Sequence, residues 1–106
     1  MIARTWHGRV PVGKSEAYHD FLRRIALRDY RATSGNRGVY VLRRVVGGEA
    51  HFLLVSLWNS LESVRAFAGS DPEKARYYPE DDSFLLEKEP HVTHYEVLEA
   101  EGEALG

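Results

Sequence analysis

Cysteine is absent from this chain of 106 residues, which excludes disulfides, thiol catalysis and zinc–thiolate sites. Long apolar runs are also missing, since stretches such as residues 52–55 are far too short to cross a bilayer. The first ten residues lack the apolar segment that marks a signal peptide. We therefore expect a cytoplasmic protein with no membrane partner.

An excess of charge of one sign is lacking as well. The 14 Lys and Arg residues nearly balance the 16 Asp and Glu residues, and the formal net charge is −2. No global basic field invites nucleic acid, so we expect no nucleic-acid partner. Four arginines cluster on one predicted helix, but acidic residues alternate with them, which is typical of a solvated helix face. The arginines are Arg23, Arg24, Arg28 and Arg31.

Hydrophobic periodicity predicts the order strand, helix, strand, strand, helix, strand. The strands are predicted at residues 2–10, 39–46, 51–58 and 92–98, and the first helix at 15–32. Two glycines, Gly47 and Gly48, favour a hairpin between the middle strands. Asn59 with Glu62 predicts a capped second helix, and Pro72 predicts a further helical turn that stops at residue 79.

This order predicts the α+β class and a ferredoxin-like βαββαβ fold with a four-stranded antiparallel sheet. We expect the strand order 4-1-3-2, with the first and third strands parallel. A chain of this size forms one domain, to which we assign residues 1–100, and we expect 101–106 to be a flexible tail. Strand alternation leaves Leu53, Val55 and Leu57 on a face without cover from their own chain, which predicts a homodimer.

Residues 8–15 match the phosphate-binding pattern G-x-x-x-x-G-K-S between a strand and a helix. Pro11, however, has no N–H to offer a phosphate, and β-branched Val10 and Val12 resist a tight cradle. The glycine hairpin also commits the sheet to antiparallel pairing. We interpret the segment as a strand end, a turn and a helix start, and we expect no nucleotide binding.

Five histidines are candidates for catalysis or metal binding. His7 and His94 have the best case, because we expect their strands to be antiparallel neighbours that bring the two together, with His51 at the far end. Hydrogen-bonded or exposed histidines remain the commoner alternative. The acidic run at residues 80–82 predicts a solvated loop, since metal sites need spaced ligands.

Aromatic residues carry the strongest functional signal. Trp58 ends the third strand just before a polar cap, and the next helical region ends in two tyrosines. Their convergence would build a flat apolar pocket with polar tips, the usual form of a small-molecule site. The alternative is plain core packing. The predicted pocket residues are Trp6, Tyr40, Trp58, Phe67, Tyr77 and Tyr78, with His94 beside them.

The second predicted helix is framed by a distinctive set of residues. They are Trp58, Asn59, Ser60, Leu61 and Glu62 before it, and Ser70 and Asp71 after it. With these residues the chain resembles, over nearly its whole length, the antibiotic biosynthesis monooxygenase domain family. The resemblance implies a dimeric α/β barrel. It also implies either a cofactor-free oxygenase that turns aromatic compounds into quinones, or a haem-degrading protein.

Haem-degrading members of that family use an asparagine on the first strand, a tryptophan ending the third, and a histidine after the second helix. Those positions are Gly8, Trp58 and Tyr77 here, so two of the three depart from the pattern. The leading hypothesis is a small oxygenase without a cofactor, acting on a flat phenolic or quinol-like ligand. We assign Trp58, Tyr77 and His7 as its catalytic donors. The alternative is a haem-binding or non-catalytic relative.

Overall fold

Four antiparallel strands form one sheet in the computed structural model, which describes residues 1–102. They are β1 (Ile2–Pro11), β2 (Asn36–Val46), β3 (Glu49–Trp58) and β4 (Thr93–Glu96), arranged in the order β2-β3-β1-β4. The predicted class, strand order and ferredoxin-like fold are confirmed. The expected parallel pairing of the first and third strands is wrong, because β1 and β3 are antiparallel. The helical crossover brings β2 back in the direction of β1, and the hairpin then reverses β3.

One helical segment follows β1 and covers one face of the sheet. It consists of α1 (Ser15–Phe21), a π-helical turn (Leu22–Ala26) and α2 (Leu27–Ala32), which together match the predicted helix. Its apolar stripe is buried against the sheet, as the three-to-four spacing predicts. The most buried members are Tyr18, Phe21, Leu22, Ala26 and Tyr30.

The second helix is α3 (Leu61–Ala68), and its N-cap lies one residue later than predicted. Ser60 is the N-cap and its hydroxyl accepts a hydrogen bond from the Ser63 N–H at 3.3 Å. Asn59 is occupied elsewhere, since its N–H donates to the Gly35 carbonyl at 2.8 Å and its side chain accepts from Arg37. A side-chain cap is therefore present as predicted, but the capping residue is Ser60 and not Asn59.

Residues 69–92 form an irregular segment, and the helical turn predicted from Pro72 is wrong. The Asp71 side chain accepts a hydrogen bond from the Glu73 N–H at 3.1 Å, as at a helix N-cap, but no helix continues because the Ala75 N–H donates to the Pro90 carbonyl at 3.0 Å. The two ends of the segment then pair, with Val92 N–H donating to the Glu73 carbonyl at 2.8 Å. A 3-10 turn, Pro79–Ser83, lies between them.

The predicted solvated acidic loop is wrong at its central residue. Asp81 is only 2% exposed and accepts hydrogen bonds from the Tyr18 hydroxyl at 2.9 Å and the Tyr78 N–H at 2.7 Å. Burial raises the pKa of Asp81, and these two hydrogen bonds oppose the shift. The irregular segment is thus fastened to α1 through a buried carboxylate rather than left in solvent.

The last strand differs from its predicted bounds. Strand β4 is shorter than the predicted 92–98, although the Val97 N–H still donates to the Met1 carbonyl at 3.0 Å. Most of the tail predicted at 101–106 lies outside the described residues. Among residues 1–102, no helix has the length and apolar character needed to cross a membrane.

Candidate functional site

The two faces of the sheet carry different sets of candidate residues. The inward face, under the helices, holds Arg4 and Trp6 of β1, whereas the outer face holds His7. Tyr40 lies opposite Val55 and so also belongs to the outer face. The prediction that Tyr40 joins the other aromatics is therefore wrong. The bulge in β2 lies between Asn36 and Gly38, so the register from the hairpin to Tyr40 is unbroken, and the hairpin pairing itself sets the face of Tyr40.

Trp58 belongs to the inward face but is closed off from solvent. Its ring is fully buried beside Tyr30 and Phe67, with ring centroids 6.2 Å and 5.4 Å away. Its Nε1–H donates to the Ser56 hydroxyl at 2.9 Å. The Trp58 Nε1–H, which we predicted as a catalytic donor, is therefore already hydrogen-bonded within the core.

His7 does not meet His94. Its Nδ1 lies 2.5 Å from the Glu89 carboxylate and its Nε2 lies 2.9 Å from Nδ1 of His51, all on the outer face. His94 is paired with Arg4 in the β1–β4 register and therefore lies on the inward face. The expected pairing of His7 with His94 is wrong, and so is the placing of His51 at the far end.

Tyr77 lies between Glu89, which contacts His7 of the outer face, and the inward-facing Trp6 ring. Its hydroxyl donates to the Glu89 carbonyl at 2.5 Å, and its ring meets the Trp6 indole edge-on at 6.2 Å. Burial raises the pKa of Tyr77, and the Trp6 indole, which faces the Tyr77 hydroxyl without reaching hydrogen-bond geometry, opposes the shift, so the side chain remains a phenol at neutral pH. Tyr78 is similar: its hydroxyl donates to Asp29 at 2.7 Å, and burial raises its pKa.

A small cavity lies between the inward face and the helices. Its volume is about 20 Å³, roughly the space of one water molecule. The π-helical turn supplies Leu22 and Ala26 to its wall, and such turns often occur at functional sites. Rings of Trp6, Phe67 and Tyr78 complete the aromatic part of the lining. Of the predicted pocket, these three residues line one cavity, and Trp58 packs behind Phe67.

Arg4 is the residue at this cavity that the sequence analysis missed. It is 1% exposed, and one Nη2 donates to the Lys74 carbonyl at 3.2 Å. Its guanidinium lies 5.5 Å from the centre of the Phe67 ring. Burial lowers the pKa of Arg4, but an arginine side chain stays charged in proteins. Its position, two residues before inward-facing Trp6, was the available signal.

Three buried side-chain polar atoms have no hydrogen-bond partner within residues 1–102: Arg4 Nε, Trp6 Nε1 and His94 Nε2. Arg4 and Trp6 are successive inward positions of β1, and His94 lies beside Arg4 on β4. Burial lowers the pKa of His94, and Arg4 adds to the shift. Each unsatisfied buried group costs about 1–3 kcal/mol, so these neighbouring positions are where an added hydrogen-bond partner would be most stabilising.

Gly8 provides room for the Trp6 ring. A Cβ atom on Gly8 would lie 2.4 Å from Trp6 and 3.0 Å from Leu85. We predict that Gly8→Ala destabilises the protein by about 1–3 kcal/mol in urea unfolding, because the ring must move in a packed core. Gly48→Ala is the matched control, since nothing lies within 4 Å of its added Cβ. Equal stability of the two variants would contradict this packing.

The outer face carries a second and larger hollow, a groove of about 560 Å³. Its walls include His7, His51, Leu42 and Leu53. Leu42 is 47% exposed and Leu53 is 37% exposed, which is unusual for two leucines on adjacent strands. Among the described residues, no group of three or more His, Asp or Glu is arranged to hold a metal ion.

Solved structures share this fold. A protein of unknown function from Nitrosomonas europaea matches with a TM-score of 0.71 and 20% identity, over 96% of this chain and 93% of that one. A variant of MhuD with two manganese protoporphyrin IX molecules bound per active site matches with a TM-score of 0.67 and 21% identity, over 97% and 100%.

A third structure comes from a Bacillus cereus protein with the provisional name antibiotic biosynthesis monooxygenase. Its TM-score is 0.61 at 17% identity, over 96% of this chain and 97% of that one. No protein-family profile and no curated protein matches the sequence. At these identities the likeness concerns the fold, and at that level the resemblance to the antibiotic biosynthesis monooxygenase family is confirmed.

Proposed function

We propose that this chain is a small oxygenase that works without a cofactor on a flat phenolic or quinol-like substrate. The substrate lies between the inward face of the sheet and the helices. The observation that carries the proposal is the Trp6 indole, which lines the cavity with its Nε1–H buried and unpartnered among aromatic rings. The fold shared with a provisionally named monooxygenase supports the same reaction class.

The cavity must enlarge to admit such a substrate, since drug-sized ligands occupy roughly 300 Å³ or more. The irregular segment 69–92 is the part of the site best suited to move. It contacts Arg4 through the Lys74 carbonyl and Trp6 through the Tyr77 ring. The segment has little regular secondary structure, but opening it also requires breaking the side-chain bonds that fasten it to the first helical segment, Tyr18–Asp81 and Tyr78–Asp29.

The chemistry balances without an outside reductant. A phenolate in the cleft gives one electron to O₂, the resulting radical and superoxide join at a ring carbon, and protonation gives a hydroperoxide. Loss of water leaves a quinone, so one oxygen atom enters the product and the other leaves as water. The protein excludes bulk water and stabilises the substrate anion with placed donors, of which the Trp6 Nε1–H is available.

The test is oxygen uptake with 1-naphthol in chelator-treated buffer. We expect one O₂ consumed for each naphthoquinone formed. Trp6→Phe keeps an aromatic ring and removes the indole donor, so turnover is expected to fall by about 10²-fold. Binding of 1-naphthol without any protein-dependent oxygen uptake would refute the oxygenase and leave a non-catalytic binding protein.

Haem fits the residues of this site poorly. The first-strand asparagine position is Gly8, and the Trp6 ring fills the space beside it. The Tyr77 hydroxyl is bonded to the Glu89 carbonyl, and its raised pKa disfavours the phenolate that would bind iron. Trp58 remains buried behind Phe67. We therefore derive no step through haem.

We also propose that the protein acts as a homodimer. The outer face presents Leu42, Leu53 and Tyr95 to solvent in the single chain, and a two-fold partner would cover the same residues on both copies. The substrate site and the dimer surface would then use opposite faces of one sheet.

A further inference from the structure

We propose that the inward cleft is selective for anions, and that Arg4 and Trp6 bind a carboxylate or phenolate oxygen of the aromatic ligand. This inference rests on the proposed binding of a flat aromatic in the same cleft. It adds a charge requirement and a specific residue, Arg4, to that binding.

Arg4 has no counter-charge among the described residues. Within residues 1–102, no carboxylate forms an ion pair with this buried guanidinium. The groups that act on its charge are Tyr30, which also lies within hydrogen-bonding reach, and Arg76. Burial raises the pKa of the Tyr30 hydroxyl, which therefore stays neutral, and Arg76 is itself a cation. A buried charge is normally paired, so this cation calls for an anion from outside the chain.

Arg4 contrasts with Arg76, which lines the same cavity and lies over the same Phe67 ring at 4.7 Å. Arg76 donates to the Asp29 carboxylate at 3.1 Å and to the Phe67 carbonyl at 3.1 Å. Of these two neighbouring guanidiniums, Arg76 therefore has an anionic partner and Arg4 has none among the described residues. Asp81, the carboxylate of the cavity wall, is held by Tyr18 and Tyr78 instead.

Two donors at the cavity also have no hydrogen-bond partner among the described residues. Arg4 Nε and Trp6 Nε1 are both unpartnered, and both residues line the cavity from successive inward positions of β1. Two adjacent N–H donors, one of them charged, match the needs of an oxygen anion attached to a planar ring. His94 Nε2, also unpartnered, flanks Arg4 from β4.

A single buried water is the competing explanation, since the cavity is large enough for one. A water could accept from Arg4 Nε and from Trp6 Nε1, but it carries no charge. It would satisfy the hydrogen bonds and leave the guanidinium uncompensated. The two explanations therefore differ in whether a charged ligand is preferred over a neutral one of the same shape.

The experiment compares 2-naphthoate with 2-naphthamide by calorimetry on the wild-type protein. The ring is shared and only the charge differs, so we expect naphthoate to bind at least about tenfold more tightly. Arg4→Met should abolish this preference and leave the melting temperature unchanged or higher, because replacing a buried charge with an apolar side chain often stabilises a protein.

Arg76→Met is the control, and it should retain the preference for naphthoate despite losing stability through the stranded Asp29. Should Arg4→Met fail to fold, Arg4→Lys keeps the charge and should keep part of the preference. Equal affinity for the two ligands in the wild type overturns the anion site and leaves the aromatic cleft intact. Binding of neither ligand removes the proposed function, and this inference with it.

Discussion

Leu53→Lys is expected to convert the protein from a dimer into a folded monomer. Leu53 is 37% exposed in the single chain and lies on the outer face, so a lysine there is tolerated in the monomer. A two-fold dimer of this variant, however, would place one lysine from each copy in the same apolar interface, where unpaired charges are strongly disfavoured. The mass measured by light scattering at micromolar concentration should fall from twice the chain mass of 12.1 kDa to that mass itself.

Leu61→Lys provides a matched control for this experiment. Leu61 is 38% exposed, nearly the same as Leu53, but it lies on α3, on the other side of the sheet. That variant should remain a dimer. A wild-type mass of 12.1 kDa under the same conditions would remove the proposed dimer, and a dimeric Leu53→Lys variant would move the interface to another surface.

Trp58→Ala is expected to cost about 3–5 kcal/mol in the free energy of unfolding. The ring is fully buried between Tyr30 and Phe67, and its Nε1–H is bonded to Ser56. A domain of this kind has only about 5–15 kcal/mol of stability in total, so the variant should be close to unfolding at 37 °C. Urea titration followed by circular dichroism measures the loss.

Trp58→Phe separates the ring from its hydrogen bond. It keeps an aromatic ring in the core and removes the donor to Ser56, so the expected loss is well below that of the alanine variant. Near wild-type stability of Trp58→Ala, combined with a large loss of affinity for aromatic ligands, would show that Trp58 is an open pocket wall rather than a core residue.

The order and type of the main elements could be predicted because their signals are local. A nearly continuous apolar run defines β3, the three-to-four stripe defines the first helical segment, and the two glycines mark the hairpin, where Gly47 has a φ of 59°. The helical turn predicted from Pro72 failed because the backbone after it pairs with a distant segment: the Ala75 N–H donates to the Pro90 carbonyl, and the Glu73 carbonyl accepts from the Val92 N–H. Such long-range pairing is not visible in local spacing.

The candidate site was only half predictable, because it depends on register. Trp6, Phe67 and Tyr78 do line one cavity. Tyr40 lies on the other face, in a register that runs without a break from the hairpin, which pairs Val46 with Glu49 and Tyr40 with Val55. Arg4 could have been found, since a charged residue at an inward position of a buried strand requires a partner. The sequence analysis gave weight to rings and overlooked that charge.

The most direct test of the central claim is a nitrogen-15 NMR titration of the wild-type protein with 2-naphthoate. The chain has two tryptophans, so two indole N–H signals report on the inward face. We predict that the Trp6 signal shifts strongly, because its donor is unpartnered at the cavity, whereas the Trp58 signal, bonded to Ser56, shifts little. Shifts confined to the outer face around His7 and His51, with the Trp6 signal unchanged, would contradict the account.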